Sequence, residues 1–265
     1  MTFIDLPEDI REKPAKENPD QNNKPKTNRE NSSYWDADLY PERKHHKVTK
    51  PLTDYIALKA GREELRKINC ERSVYKCFKE SRIIRLFVGA MKASGCPVDI
   101  RRHISCEECA PEVAGGYDPV LNQVVLCHNN TSKDSRVQMV LMHEMVHMFD
   151  FCRNNMDYRN LDHLACTEIR AANLAHCSFM SAWMNGDTSL FNFKGTHQNC
   201  VKSKALLSMM TVRNITKLQA VDAIERVFDK CYNDLEPVGR RLRRNSLDMY
   251  KAFEEGFYYG YDDGL

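Results

Sequence analysis

His143-Glu144-Met145-Val146-His147 is the stretch that decides how this chain is read. On a helix the two histidines lie one turn apart on one face, the spacing at which two imidazoles share a single Zn²⁺. Glu144 is then held beside the ion, where its carboxylate can take a proton from water. The flanks predict a helix over 135–152: Val137, Val140, Leu141 and Phe151 supply apolar contacts, and Ser132 or Asp134 is expected to cap its start. Met139, Met142, Met145 and Met148 recur every third residue. Such a row drifts around a helix and reads as flexible core filling rather than metal or redox chemistry.

A catalytic zinc takes three protein ligands and keeps one open position. Two carboxylates compete for the third place. Asp150 continues the face of His147, but one helix wraps three side chains around a tetrahedral ion poorly, and Asp is short. Glu168 falls on the next predicted helix, from Leu161 to His176, and reaches the ion from a second direction. The expected metal set is therefore His143, His147 and Glu168 around one Zn²⁺, with Glu144 catalytic. Asp150 remains the other candidate ligand and is better placed as an acceptor for a ring N–H of a ligand histidine. Tyr158, His163, Arg170 and His197 are candidate donors to the oxyanion. Arg170 also reads as a clamp on Glu168 or Asp162, and His197 as a core side chain.

Upstream, 53–93 is helical in pattern, with one stripe at Tyr55, Ile56, Leu58, Leu65 and Ile68 and another at Val74, Cys77, Phe78, Ile83, Ile84, Phe87, Val88 and Met91. Ser94-Gly95 ends it. Residues 96–128 read as strand-bearing: Val98-Asp99-Ile100 is a short candidate, Gly115–Pro119 a turn, and Gln123–Cys127 the better strand. A strand just before the metal helix matches a zincin layout, in which an edge strand pairs with substrate backbone. Downstream, 186–195 reads as a loop, and Leu218, Val221, Ile224, Val227, Phe228 and Cys231 fall at helical spacing. The fold class expected is α+β: a zincin-like domain, mostly helical, with a small antiparallel or mixed sheet before the metal helix. Residues 1–50 form a polar segment that buries too little apolar surface to offset its ordering entropy, 51–240 the metalloprotease domain, and 241–265 a C-terminal tail with a loosely packed, tyrosine-rich end. Tyr34, Trp35 and Tyr40 read as an incidental aromatic cluster in the first of these.

The chain has 42% hydrophobic and 29% charged residues, and 39 basic against 37 acidic side chains leave a net charge of +2 that points to no particular partner. No basic surface for nucleic acid is evident. Arg240, Arg241, Arg243 and Arg244 read as a solvated face sooner than a site for anionic lipid. The run Leu86–Met91 is far too short to span a membrane. Asp5, Glu8, Asp9 and Glu12 speak against a secretory or ordinary mitochondrial leader. Eleven cysteines indicate an oxidising compartment or further metal. A Cys70–Cys77 bridge between two helices is one expected pairing. Cys106-x2-Cys109 alone has zinc-knuckle or redox-pair spacing, and the odd count leaves a thiol over.

Taken together, His143–Asp150, Leu161–Ala171, Ser105-Cys-Glu-Glu-Cys109, Gly115–Asp118, His197–Cys200 and Cys231–Pro237 resemble the mitochondrial inner membrane protease family that acts in ATP synthase assembly. The resemblance spans about 68–240 and leaves the polar N-terminal segment outside. It implies a zinc endopeptidase of the intermembrane space, peripheral to the inner membrane and imported by oxidative trapping. The implied partners are the ATP synthase subunit 6 precursor, or other intermembrane-space proteins, with no nucleic acid. It also implies a role in assembly separable from proteolysis, so a non-proteolytic chaperone for a hydrophobic membrane subunit is the alternative. Carried over by motif, His143 and His147 are the family's metal histidines and Glu144 its catalytic glutamate.

Overall fold

The computed structural model describes residues 38–43, 59–177, 193–243 and 246–264. Tyr34, Trp35, Tyr55, Ile56, Leu58 and Arg244, and the part of the expected loop at 186–192, lie outside these residues. After a 3₁₀ turn at Pro41–Arg43 come helices α1 (Lys59–Glu80), α2 (Arg82–Ala93) and the single turn α3 (Ile100–His103). Three strands follow: β1 (Ile104–Glu107), β2 (Gly115–Asp118) and β3 (Gln123–Cys127). Then come α4 (Asp134–Arg153), α5 (Leu161–Ala171), a π turn at Ala172–His176, α6 (Phe193–Val212), α7 (Lys217–Asn233) and α8 (Asp248–Tyr258).

The sheet is mixed, in the order β1-β3-β2: β1 runs parallel to β3 and β2 antiparallel to it. Helix α4 packs on β3 and β2 and is flanked by α1, α2 and α5. That central place explains why Val137, Leu141, Met145, Val146 and Phe149, on more than one side of α4, are all buried. Met142 and Met148 are buried with them, as core filling requires. Ile83, Ile84, Leu86 and Phe87 of α2 are wholly inaccessible, each worth about 1.5–3 kcal/mol of burial. A second core lies between α5, α6 and α7, where Ile169, Val201, Met209, Ile224 and Phe228 meet.

Several expectations fail at this level. Ile100 opens a helical turn instead of ending a strand, because the Asp99 carboxylate accepts from the Arg101 amide and caps it. Gly115–Asp118 is a strand, not a turn; the reversal comes at 119–122, where the Asp118 carboxylate accepts from the Val120 and Leu121 amides. Leu65 and Ile68 are exposed, so the first stripe does not continue into the core; Leu218, which opens the downstream pattern, is exposed as well. Neither Ser132 nor Asp134 caps α4: Lys133 holds the cap position, and Asp134 instead binds Ser73 and Lys76 of α1. The α5 pattern closes in a π turn, and Phe193–Gly195 begin α6 instead of ending a loop.

The cysteines pair as Cys70–Cys106, Cys96–Cys152, Cys109–Cys127, Cys166–Cys231 and Cys177–Cys200, and Cys77 is a buried free thiol. The Cys70–Cys77 expectation fails because both residues lie in the continuous helix α1. Cys106 and Cys109 belong to different bridges, which removes both the knuckle and the redox-pair reading. Each bridge closes a loop whose entropy is worth about 2–4 kcal/mol. Cys96–Cys152 anchors the end of α4, and Cys166–Cys231 joins α5 to α7.

Helix α8 packs across α2, burying Ala252, Phe253 and Gly256, while Tyr258 and Tyr259 beyond them are exposed. Gly89 lets the chain end lie against α2: a Cβ there would sit 2.6 Å from the Tyr261 carbonyl oxygen. Gly89→Ala therefore costs about 1–3 kcal/mol, the range for overpacking. The check is a lowered Tm, largely unchanged by deletion of 261–265 in the same background but not in wild type.

Candidate active site

Helix α4 presents His143 and His147, and α5 brings Glu168 against them. The two Nε2 atoms are 3.1 Å apart, and the Glu168 Oε2 lies 3.6 Å from the first and 3.8 Å from the second. Three ligand atoms at about 2.0–2.1 Å from a tetrahedral ion stand about 3.3 Å from each other. Glu168 is 3% exposed and its Oε2 has no hydrogen-bond partner, an expensive state for a buried carboxylate unless a cation faces it. The residues present therefore fit a divalent metal.

The electrostatics accord with metal binding at two of the three converging groups. Burial raises the Glu168 pKa, but His147, His143 and the Ser208 hydroxyl outweigh it and hold the carboxyl below its ordinary value. Burial pushes His147 down to about 4, toward the neutral form that binds metal. His143 goes the other way: burial lowers it, but the Glu144 and Glu168 carboxylates prevail and raise it. Glu144 lies with the two imidazoles in a cluster whose nitrogen and oxygen atoms fall within 4.8 Å of one another. Its burial lifts the pKa to about 7, against the pull of His143 and with help from Glu168.

The ring nitrogens that face away from Glu168 are also held. His147 Nδ1 meets the Thr167 hydroxyl at 2.8 Å, and that hydroxyl donates to Asp150 Oδ2 at 2.8 Å. Arg170, 1% exposed, donates from Nε to Asp150 and from its terminal nitrogens to the Asp234 and Glu236 carbonyls. Asp150 thus supports His147 through Thr167, and it is not among the groups facing Glu168. The clamp expected on Glu168 or Asp162 falls on Asp150; Asp162 is paired with Arg226 instead. His143 Nδ1 is 3.0 Å from Nε2 of His176, which the π turn swings inward. Sequence reading missed both roles: Thr167 lies within the Leu161–Ala171 motif but was given none, and His176 stands outside every motif, at the end of the π turn.

The cleft is lined by His143, Glu144, His147 and Glu168 together with Tyr40, Gly115, Tyr117, Tyr158, Ser208 and Arg213. Of the expected oxyanion donors only Tyr158 is here, and its hydroxyl donates to the His147 carbonyl. His163 accepts from the Asp157 amide, and His197 meets Tyr232; neither lines the cleft. Tyr40 is buried in this wall, a correction to its reading as an incidental tail aromatic. Strand β2 forms the sheet edge along the cleft, and a Cβ on Gly115 would stand 3.3 Å from the Glu144 Oε1.

The family model of the Peptidase M76 family matches residues 68–239. The chain belongs to this family. Its Homo sapiens relative, "Mitochondrial inner membrane protease ATP23 homolog", is 42% identical over 68% of this chain and 73% of the relative. The Danio rerio relative of the same name is 38% identical over 91% of this chain and 92% of its own length. The Schizosaccharomyces pombe protein, "Mitochondrial inner membrane protease atp23", is 34% identical over 64% of this chain and 90% of its own. No solved structure matches the chain. As a member of the M76 peptidases the protein is a peptide hydrolase of the HExxH type, and the matched span contains every one of the charged groups gathered around His143 and His147.

Proposed function

We propose that this M76 peptidase is a zinc-dependent, zincin-like endopeptidase of the mitochondrial intermembrane space, held at the periphery of the inner membrane. Its proposed substrate is a precursor of an ATP synthase subunit, subunit 6 or another intermembrane-space protein, and it assists assembly of the membrane sector. The observation that carries the reading is the convergence of His143 Nε2, His147 Nε2 and the unpartnered Glu168 Oε2 on one point, with the Glu144 carboxylate alongside.

His143, His147 and Glu168 would hold the ion. When bound, zinc supplies a Lewis acid at the reacting carbonyl and lowers the pKa of water. Glu144 takes the proton of the attacking water and returns it to the leaving amine. Thr167 with Asp150, and His176, fix the planes of the two imidazoles. The outer edge of β2, which no strand covers among the described residues, offers backbone groups to an extended substrate and seats the scissile peptide over Glu144.

The compartment is supported by the five disulfides, which need an oxidising environment, and by the inner-membrane names of the relatives. Among the described residues no helix is long and apolar enough to cross a membrane, which accords with peripheral attachment. Chelation is expected to abolish hydrolysis of an unstructured peptide, and stoichiometric Zn²⁺ to restore it. In cells, Glu144→Gln should accumulate an uncut intermembrane-space precursor, read by comparing N-termini with wild type. Zinc binding without any uncut precursor, with ATP synthase assembly intact, would favour the chaperone function over proteolysis.

A further inference from the structure

The segment Asp38–Arg43 precedes the family-matched residues, yet it is bolted to the sheet beside the catalytic groups. Arg43 donates to one side chain on each strand: Glu107 of β1 at 2.7 and 2.9 Å, Asp118 of β2 at 2.8 Å, and Gln123 of β3. The Ala110 amide donates to the Leu39 carbonyl, and the Glu108 amide to the Glu42 carboxylate. Tyr40, 3% exposed, packs on Cys109, Val113, Val125 and Cys127. Its hydroxyl donates to the Gly115 carbonyl at 2.8 Å.

That carbonyl is the significant one. The Cys127 amide donates to the Ala114 carbonyl, so Ala114 faces Cys127 as a hydrogen-bonded pair. By antiparallel alternation, Gly115 and Tyr117 then turn their backbone groups away from β3, toward the outer edge of the sheet. A substrate strand adding to β2 would use those same groups. Tyr40 already holds one of them, on the residue that abuts Glu144, and its ring lines the cleft.

We propose that Tyr40 is a specificity-determining residue of the peptidase. Its hydroxyl ends substrate pairing along β2 at Gly115, and its ring limits the size of the substrate residue that fits beside the scissile bond. The Arg43 anchorage makes this a fixed wall and not a releasable strap. The proposal rests on the peptidase reading of the cleft.

The test uses the full-length, zinc-loaded protein and synthetic decapeptides varied at one position, with cleavage mapped by mass spectrometry. Tyr40→Ala is expected to raise kcat/KM for bulky over small residues beside the cut by about tenfold, the discrimination a hydrophobic pocket supplies. Tyr40→Phe keeps the ring, frees the Gly115 carbonyl, and should lower KM for long but not short peptides by about three- to tenfold, the worth of one hydrogen bond. Where a thermal melt shows Tyr40→Ala unfolded, the Tyr40→Phe ratio of long- to short-peptide KM decides alone. Unchanged residue preference in Tyr40→Ala, or an unchanged KM ratio in Tyr40→Phe, overturns the proposal while the peptidase reading stands. A wild-type protein that cuts no peptide overturns the peptidase reading itself and this proposal with it.

Discussion

Glu144→Gln removes peptide hydrolysis, lowering kcat by about 10²–10⁴-fold, the usual worth of a positioned general acid–base. The amide keeps the shape of the side chain and its place beside His143, so zinc content and Tm should stay at wild-type values. On the proposed mechanism, what is lost is the group that takes a proton from water. In the metal-free site Glu144 is raised to about 7 because it is buried and lies near a second carboxylate. Initial rates on an unstructured peptide, paired with metal analysis, check the result. A variant that stays active would move the base elsewhere, and one that loses zinc would make Glu144 a ligand. The same variant separates the two roles proposed for the protein. If membrane-sector assembly proceeds while hydrolysis is gone, binding of the membrane subunit does not depend on cleavage.

The helix that carries His143 and His147 was legible in the sequence because its pattern is local. The i, i+4 spacing fixes the relation of His143 to His147 whatever the rest of the chain does. Glu168 was legible at one remove, since a helix-loop-helix of that length returns a carboxylate to the first helix. Strand β3 was legible from its unbroken apolar run, whereas β2 was not. Gly115-Gly116 favours a turn by local preference, and only packing on Val140 and Glu144, where a side chain would clash, explains glycine in a strand. The disulfides were beyond sequence reading because pairing is a long-range property: Cys70 and Cys77 are near in sequence yet far apart along one helix. Tyr40 was misread for the same reason. Composition marks its surroundings as polar tail, and nothing local announces that Arg43 finds Glu107, Asp118 and Gln123 together on a sheet far along the chain.

Glu168→Ala and Asp150→Asn are expected to fail in opposite ways, and the contrast identifies the third ligand. Glu168→Ala removes the unpartnered oxygen facing the two imidazoles, so the protein should purify without zinc and without activity. Asp150→Asn leaves all three converging groups in place, so zinc should remain, bound about 10–100-fold more weakly as the Thr167 contact to His147 loosens. Its cost appears in stability. Arg170 is buried and loses the charge of its most buried partner, keeping the Asp234 carboxylate, two carbonyls and the neutral oxygen of the new amide. Breaking such a pair from one side costs about 3 kcal/mol, the low end of the range because Asp234 remains. Thermal melts in chelator, set beside metal analysis of the purified proteins, read both effects. Zinc lost from Asp150→Asn but retained by Glu168→Ala would transfer the ligand role to Asp150 and leave the orphaned Glu168 oxygen without an explanation in metal binding.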